Sequence, residues 1–263
     1  MDVRSLAYRT DLALLAASGS QVEHHDDHVV VRTPDNPTYW WGNFVLLARP
    51  PAPDEVPRWL ALNAAAHPGS VHVAFGVDGT EGTLADLAAF ADAGLEVEAS
   101  TVMTATAVHE PPRPNREATY RPLRSDDDWE QQVALGIAGE HEDSETGRAF
   151  VRAKAEAERA MTGRGQGEWW GAFLRDRLVA SMGLFVASTG LARFQNVKTH
   201  PDARGRGLAG TLVHEVCRFG LDELGAETLV MVADPDYLAI RVYRSVGFAD
   251  TETQLQAFRK PAI

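Results

Sequence analysis

The sequence predicts an α/β (mixed α+β) fold in which a central, mostly antiparallel sheet is flanked by helices, with two such units in tandem. Runs of β-branched and aromatic residues alternate with segments that carry apolar residues at helical spacing. Three consecutive β-type segments within residues 168–200 are separated by short turns, as in an antiparallel meander. The charged, proline-rich stretch 109–118 has little to bury and divides the chain into two halves.

The N-terminal half, residues 1–115, is predicted to form a mixed unit of its own. Leu6–Ala17 favours a helix, and the β-branched run Val29–Val31 favours a strand. Thr83 is suited to cap the start of a helix that Gly94 would end. The other predicted elements are a strand within residues 38–50, a helix at 54–66, a strand at 71–75 and one or two strands within 95–108.

The C-terminal half, residues 116–263, is predicted to contain the meander and the helices that flank it. Residues 119–139 favour a strand followed by a helix with an acidic first turn. From Leu208 onwards apolar residues recur on one helical face. The other predicted elements are a charged helix through 150–165, strands at 168–176, 177–188, 191–200 and 228–232, and a helix at 237–245.

Composition and charge limit the classes of function. Hydrophobic residues make up 44% and charged residues 24%, which is typical of a folded globular protein. The formal net charge of -12 opposes attraction to phosphate backbones and anionic membranes, so neither partner is expected. No signal peptide or membrane span is evident, and Cys217, the single cysteine, reads as a buried apolar side chain. We therefore expect a cytoplasmic protein.

The segment that follows the last meander strand carries the clearest chemical signal. A strand breaks at Pro201, a turn with several glycines follows, and an amphipathic helix begins at Leu208. Such a turn directs backbone N–H groups at the positive end of a helix, where a pyrophosphate can accept them. The spacing fits neither the phosphate loop G-x-x-x-x-G-K-S/T nor a dinucleotide-binding fingerprint.

This turn and a second landmark downstream resemble the GNAT superfamily of N-acetyltransferases. The run Arg204-Gly205-Arg206-Gly207-Leu208-Ala209 matches the pyrophosphate pattern Q/R-x-x-G-x-G/A of that family. Downstream, an apolar strand is followed by a helix that contains Tyr243 and then by Gly247-Phe248, in the order typical of the family. The resemblance covers residues 119–259.

The resemblance implies acetyl-CoA as co-substrate and assigns residues to it; it implies no metal. Val197, Lys198 and Thr199 would hold the pantetheine arm, with the main chain of Val197 and Thr199 pairing with its amides. The loop would hold the pyrophosphate through Arg204, Gly205, Arg206, Gly207, Leu208 and Ala209. Tyr243 would contact the cofactor and act as the acid that protonates the departing thiolate, or only pack on the pantetheine arm.

The general base stays open at this point. The family often places a Glu on the strand before the loop, whereas this chain has Phe194, Gln195 and Asn196 there. Asp236 replaces the family's usual Asn, and we interpret it as the N-cap of the Tyr243 helix. The candidate bases are Glu140, His141, Glu142, Asp143 and Asp234.

The N-terminal half also ends in a helix, a Gly-Leu step and a strand, which resembles the end of the C-terminal half. It has no R-x-x-G-x-G/A match, so we interpret it as a degenerate GNAT-like domain without a cofactor site. The run His24–His28 is expected to be an exposed turn and not a metal site, because adjacent side chains diverge.

Two activities remain open for the whole chain. The first is transfer of an acetyl group to a primary amine of a small molecule, and the rival is non-catalytic sensing of CoA or of another small ligand. The acceptor and the oligomeric state are not predicted, because loops determine substrate choice.

Overall fold

The computed structural model describes residues 1–139 and 144–260, which divide into two compact units. The first unit contains Met1–Val102, Val232–Pro235 and the described residues from Asp250 onwards. The second unit contains the described residues of Met103–Met231 together with Asp236–Ala249. Residues 103–115 thus lie in the second unit, and the domain boundary after residue 115 stays a prediction of the sequence.

Helices and strands alternate along both halves of the described chain. The helices are α1 (Leu6–Ala17), α2 (Val56–Ala66), α3 (Ala88–Asp92), α4 (Asp126–Gly139), α5 (Glu145–Gly163), α6 (Leu208–Asp222) and α7 (Ala239–Arg244). The strands are β1 (Gln21–His24), β2 (His28–Arg32), β3 (Phe44–Leu47), β4 (Val73–Val77), β5 (Glu96–Ala105), β6 (Thr119–Pro122), β7 (Gly167–Leu174), β8 (Arg177–Ser188), β9 (Leu191–Thr199), β10 (Thr228–Ala233) and β11 (Ala249–Arg259). Short 3-10 helices lie at Trp40–Gly42, Leu84–Leu87 and Pro201–Ala203.

The first unit is built on strands in the order β1-β2-β3-β4-β11-β5. β1, β2 and β3 pair antiparallel, β3 and β4 pair parallel, and β4 pairs antiparallel with β11. The sheet is buried on both faces, because Val29 and Val31 pack in the cluster of α1 while Val30 packs in the cluster of α2. This two-sided burial explains why β2 is a continuous apolar run and does not alternate.

The second unit is built on strands in the order β10-β9-β8-β7-β6, which is antiparallel except for the parallel pair β10 and β9. Trp170 packs on Phe219 of α6, with ring centroids 5.5 Å apart, whereas the neighbouring Trp169 is fully buried on the other face. Lys198 of β9 reaches Gly136 of α4 on that other face. Helices therefore cover both faces of this sheet, and the mixed, mostly antiparallel fold predicted from the sequence is confirmed.

The start of α4 is fixed by a carboxylate with several partners. Asp128 accepts two hydrogen bonds of 2.8 Å from Arg121 and further bonds from the main-chain N–H groups of Arg124 and Ser125. Ser125 returns a bond by accepting from the N–H of Asp128, which is a capping box. These partners, the guanidinium of Arg121 foremost, hold the pKa of Asp128 well below its ordinary value.

Two predicted elements differ from the structure. The predicted strand at 38–50 is a 3-10 helix at Trp40–Gly42 followed by β3, because the Asn43 amide donates to the carbonyls of Asn36 and Tyr39 and closes a turn. The predicted helix 237–245 begins at Ala239 and is preceded by Leu238 at its N-cap, so the capping role predicted for Asp236 is wrong. The first turn is instead closed by bonds from Ile240 and Arg241 to the carbonyls of Tyr237 and Leu238.

Among the described residues, no helix is both long enough and apolar enough to cross a membrane. Cys217 is fully buried in α6, and this burial raises the pKa of its thiol, as expected for an apolar packing residue.

Candidate functional site

Strand β9 carries a bulge at the place where the resemblance puts the pantetheine arm. Gly183 of β8 pairs with Gln195, but Ser181 pairs with Lys198, so one extra residue is inserted in β9. Asn196 lies in this insertion and adopts φ +36°, a conformation that Asn tolerates better than most residues. The bulge bends β9 immediately before Val197, Lys198 and Thr199.

The edge of β9 that faces β10 becomes free beyond the bulge. The parallel pairing with β10 ends at Arg193 and Val230, whereas β9 continues to Thr199. The N–H of His200 donates to the carbonyl of Val179 on β8 at 2.8 Å. Because main-chain groups alternate between the two sides of a strand, Lys198 faces β8 while Val197 and Thr199 face away from it. Their main-chain groups are oriented toward an added extended chain, and the Thr199 carbonyl also accepts a bond from Nε of Arg204.

The turn after β9 leads directly to the start of α6. Gly205 and Gly207 both adopt φ +75°, the left-handed region that favours glycine. Among the described residues no side chain caps α6, and its first main-chain bond runs from Thr211 to the carbonyl of Gly207. The N–H groups of Leu208, Ala209 and Gly210 therefore have no partner within the helix, and they form a positive end suited to an anion.

The two glycines of this turn differ in their surroundings. A β-carbon on Gly207 would collide with the main-chain carbonyl of Arg113, whereas no described atom outside the turn lies within 4 Å of the same position on Gly205. The side chain of Arg206 forms an ion pair with Glu117, and Nε of Arg204 donates to the carbonyl of Thr199 at 3.4 Å. The structure thus places the predicted loop residues next to one another on one continuous turn.

Tyr243 lies in α7 and belongs to the same unit as β9 and the turn. It is 7% exposed, and burial raises the pKa of its phenol to about 12. Its ring packs on Phe248 at 6.5 Å, and Phe248 packs on Phe194 of β9 at 5.8 Å. Phe194, at one of the positions where the family often has a Glu, is thus a buried packing residue.

The structure leaves the general base without an assignment. Glu140, His141, Glu142 and Asp143 lie outside the described residues. Asp234 follows β10 and falls within the first unit. In residues 1–139 and 144–260, no group of three or more His, Cys, Asp or Glu side chains is arranged to hold a metal ion.

One residue of the site was not predicted. Asn115 lies in the proline-rich stretch that we predicted to have little to bury, yet it is only 8% exposed and donates a 3.0 Å hydrogen bond to the carbonyl of Arg206. Nothing in the local composition distinguishes this Asn from any other turn residue, because its partner lies 91 residues away.

Parts of this chain resemble known proteins in sequence, and most of it resembles known proteins in fold. Residues 135–248 match the model of the acetyltransferase (GNAT) family. A GCN5-related N-acetyltransferase from Kribbella flavida has a TM-score of 0.66 and 17% identity, with 98% of this chain and 97% of that chain covered. A functionally unknown conserved protein from Staphylococcus epidermidis has a TM-score of 0.72 and 10% identity, with 93% and 95% covered.

A tandem GNAT protein from the clavulanic acid biosynthesis pathway has a TM-score of 0.57 and 13% identity, with 95% of this chain and 88% of that chain covered. No curated protein sequence matches the chain. At these identities the structures establish a shared fold and nothing about the substrate. The family match covers α6, β10 and α7, so this part of the chain has the sequence pattern of a GNAT acetyltransferase domain, and the similar structures share its fold.

Proposed function

We propose that this chain is an acetyl-CoA-dependent N-acetyltransferase that acetylates a primary amine of a small molecule within a ternary complex. The observation that carries the proposal is the combination of a free strand edge at Val197–Thr199 with an uncapped helix start at Leu208. A strand edge accepts the amides of an extended pantetheine arm, and a helix N-terminus accepts a pyrophosphate. The turn at Gly205–Gly207 joins these two features directly.

In the proposed reaction, the neutral amine attacks the thioester carbonyl carbon, a C–N bond forms, and the C–S bond breaks to release CoA as a thiolate. The amine loses one proton to a base or to water. Tyr243 donates a hydrogen bond to the sulfur as its charge develops. Because the pKa of Tyr243 is about 12, well above the ~8.5 of an ordinary thiol, the phenol stabilises the thiolate without surrendering its own proton completely.

Non-catalytic binding of CoA is the second candidate. It is favoured by one observation, namely that Phe194 fills a strand position where a carboxylate is common in the family and packs on Phe248. One observation argues against it. Tyr243, which could donate a proton, packs beside Phe248, and binding alone needs no proton donor.

We further propose that the N-terminal half is a degenerate copy of the same fold with no cofactor site. Both halves contain three antiparallel strands, a crossover helix and a parallel fourth strand. Before α2, however, Glu55 takes the place that Gly207 has before α6. Its carboxylate accepts from the N–H of Ala52 and from Arg49, so an anion already sits at this helix start.

The test measures free-thiol release from acetyl-CoA against a panel of amines, with CoA binding followed separately by calorimetry. Native protein is compared with Gly207→Glu. The new side chain would clash with the main-chain carbonyl of Arg113 and would add a negative charge at the pyrophosphate position. Amine-dependent release that is lost in Gly207→Glu supports the transferase. CoA binding without release for any amine would favour the second candidate, and no CoA binding at all would refute both.

The proposed location is the cytoplasm, where the single thiol would stay reduced.

A further inference from the structure

The stretch 109–118 donates a hydrogen bond to the main-chain carbonyl of Arg206 in the turn before α6. Asn115 makes this bond with its side-chain amide. It lies in the second unit and precedes the residues that match the family model, which begin at 135. The family match therefore assigns no role to Asn115, and its role is inferred from its contacts.

Asn115 forms hydrogen bonds through its side-chain amide and through its main chain. Its Nδ2 donates to the carbonyl of Arg206 at 3.0 Å, and its Oδ1 accepts from the N–H groups of Glu117 and Ala118 at 3.1 and 3.0 Å. Its main-chain N–H donates to Oγ1 of Thr211 at 2.8 Å. The two bonds that Oδ1 accepts shape the stretch itself, and the bonds to Arg206 and Thr211 tie that shape to the turn.

Thr211 links Asn115 to a second carbonyl of the turn, that of Gly207. Its hydroxyl accepts from Asn115 and donates to the carbonyl of Gly207 at 3.1 Å. The residue is 5% exposed, so this chain of hydrogen bonds is shielded from competing water. The carbonyls of Arg206 and Gly207 are thus both held on the side of the turn that faces Asn115 and Thr211.

Fixing these carbonyls also fixes the donors that would meet the cofactor. The C=O of one residue and the N–H of the next belong to the same planar trans peptide and point in opposite directions. With the Arg206 carbonyl held by Asn115, the N–H of Gly207 points away from the stretch. The same reasoning applies to the Gly207 carbonyl and the N–H of Leu208. Without the Asn115 bond, the Arg206–Gly207 peptide could rotate at little cost, whereas the Gly207 carbonyl also accepts the main-chain N–H of Thr211 at 3.2 Å.

We propose that Asn115 is a positioning residue for CoA, which orients the N–H groups of Gly207 and Leu208 toward the pyrophosphate by holding the opposite ends of their peptides. This inference rests on the proposed function, because it specifies how the same cofactor site is organised. The Glu117–Arg206 ion pair contributes less, since both side chains are substantially exposed.

The experiment measures the Kd of CoA by calorimetry and the thermal unfolding midpoint for native protein, Asn115→Ala and Thr211→Val. The matched control is Asn43→Ala, because Asn43 in the first unit is 7% exposed and its side chain also makes three hydrogen bonds to the main chain, two donated and one accepted. We expect the Kd to rise about tenfold in Asn115→Ala and roughly fivefold in Thr211→Val, as for loss of oriented hydrogen bonds. In Asn43→Ala the midpoint falls while the Kd stays within twofold.

In turnover, the KM for acetyl-CoA should rise by a similar factor to the Kd, while kcat at saturation stays within twofold. If Asn115→Ala and Thr211→Val remain folded and bind CoA as tightly as the native chain, the positioning role is overturned and the transferase stands. If Asn43→Ala weakens CoA binding as much as Asn115→Ala, the effect is general destabilisation and the inference also fails. If native protein does not bind CoA, the proposed function itself is refuted, and this inference with it.

Discussion

A β-carbon on Gly207 would strike the main-chain carbonyl of Arg113, although the two residues are 94 positions apart in the chain. The pyrophosphate turn is therefore packed from behind by backbone, which cannot move aside as a flexible side chain can. This contact makes Gly207 necessary for two reasons, its φ of +75° and its missing β-carbon, whereas Gly205 is needed for its φ alone.

Replacing each glycine by alanine separates the two reasons. Gly205→Ala should cost about 1 kcal/mol of unfolding free energy, because alanine is strained in the left-handed region. Gly207→Ala should cost about 3 kcal/mol and should also weaken CoA binding, because the turn must shift away from Arg113. Urea unfolding and calorimetry on both variants measure these effects. Equal losses in the two variants would show that the Arg113 contact is unimportant.

The pH dependence of turnover tests the role of Tyr243. Its pKa of about 12 keeps the phenol protonated, so kcat/KM should rise with pH as the amine is deprotonated and should show no decline below about pH 11. Tyr243→Phe should lower kcat by ~10- to 100-fold without shifting the rising limb. Tyr237→Phe is the control, since Tyr237 is 58% exposed. A decline in native activity near pH 9 that is absent from Tyr243→Phe would contradict the assigned pKa and role.

Substitutions at Asn196 test whether the bulge in β9 orients the strand edge for CoA. Asn196→Val places a β-branched residue at φ +36° and should lower the thermal midpoint by about 4 °C. It should also raise the Kd of CoA, because relief of the strain would straighten the edge at Val197. Asn196→Gly keeps this conformation accessible and should bind CoA as the native chain does. Normal binding by Asn196→Val would show that the bulge does not orient the edge.

Asp128 should make stability depend on pH in a defined direction. Its pKa is lowered in the folded chain relative to the ordinary 3.8, so the carboxylate stabilises the fold above pH 3.8 and loses this effect as pH falls through the folded value. Asp128→Asn should reduce the unfolding free energy by ~2 kcal/mol at pH 7. The difference should shrink toward zero in more acidic solution.

Urea titrations at several pH values provide the measurement for Asp128. Asp126→Asn is the control, because the side chain of Asp126 is 88% exposed and its ion pair with Arg159 should contribute little. A deficit in Asp128→Asn that is constant down to pH 3 would mean that the pKa of Asp128 is not lowered by folding.

The sequence was most informative where the physical cause is local. Helix α1 has the predicted bounds Leu6–Ala17, and Thr83 forms the predicted cap. The run 204–209 could be located because phosphate-binding turns need glycine at fixed spacing. Each of these features depends on neighbours within a few residues.

Prediction failed where the cause is distant. The turn at Trp40–Gly42 depends on Asn43 amide bonds, and the position of Asn115 depends on a carbonyl 91 residues away. No periodicity encodes such partners, because tertiary contacts decide which of several turn geometries a polar residue adopts. The cofactor residues and Tyr243 remain predictions until a ligand is bound.

Strand β11 lies in the first unit, between β4 and β5, although Ala249–Arg259 is among the final residues of the described chain. During synthesis on the ribosome, domains generally fold in order from the N-terminus as they emerge. Here β4 must wait for β11, which follows the second unit in the chain, and β4 exposes an unpaired edge in the meantime. The nascent chain should therefore depend on chaperone protection while the second unit is translated, and a product truncated before β11 should aggregate through its first unit.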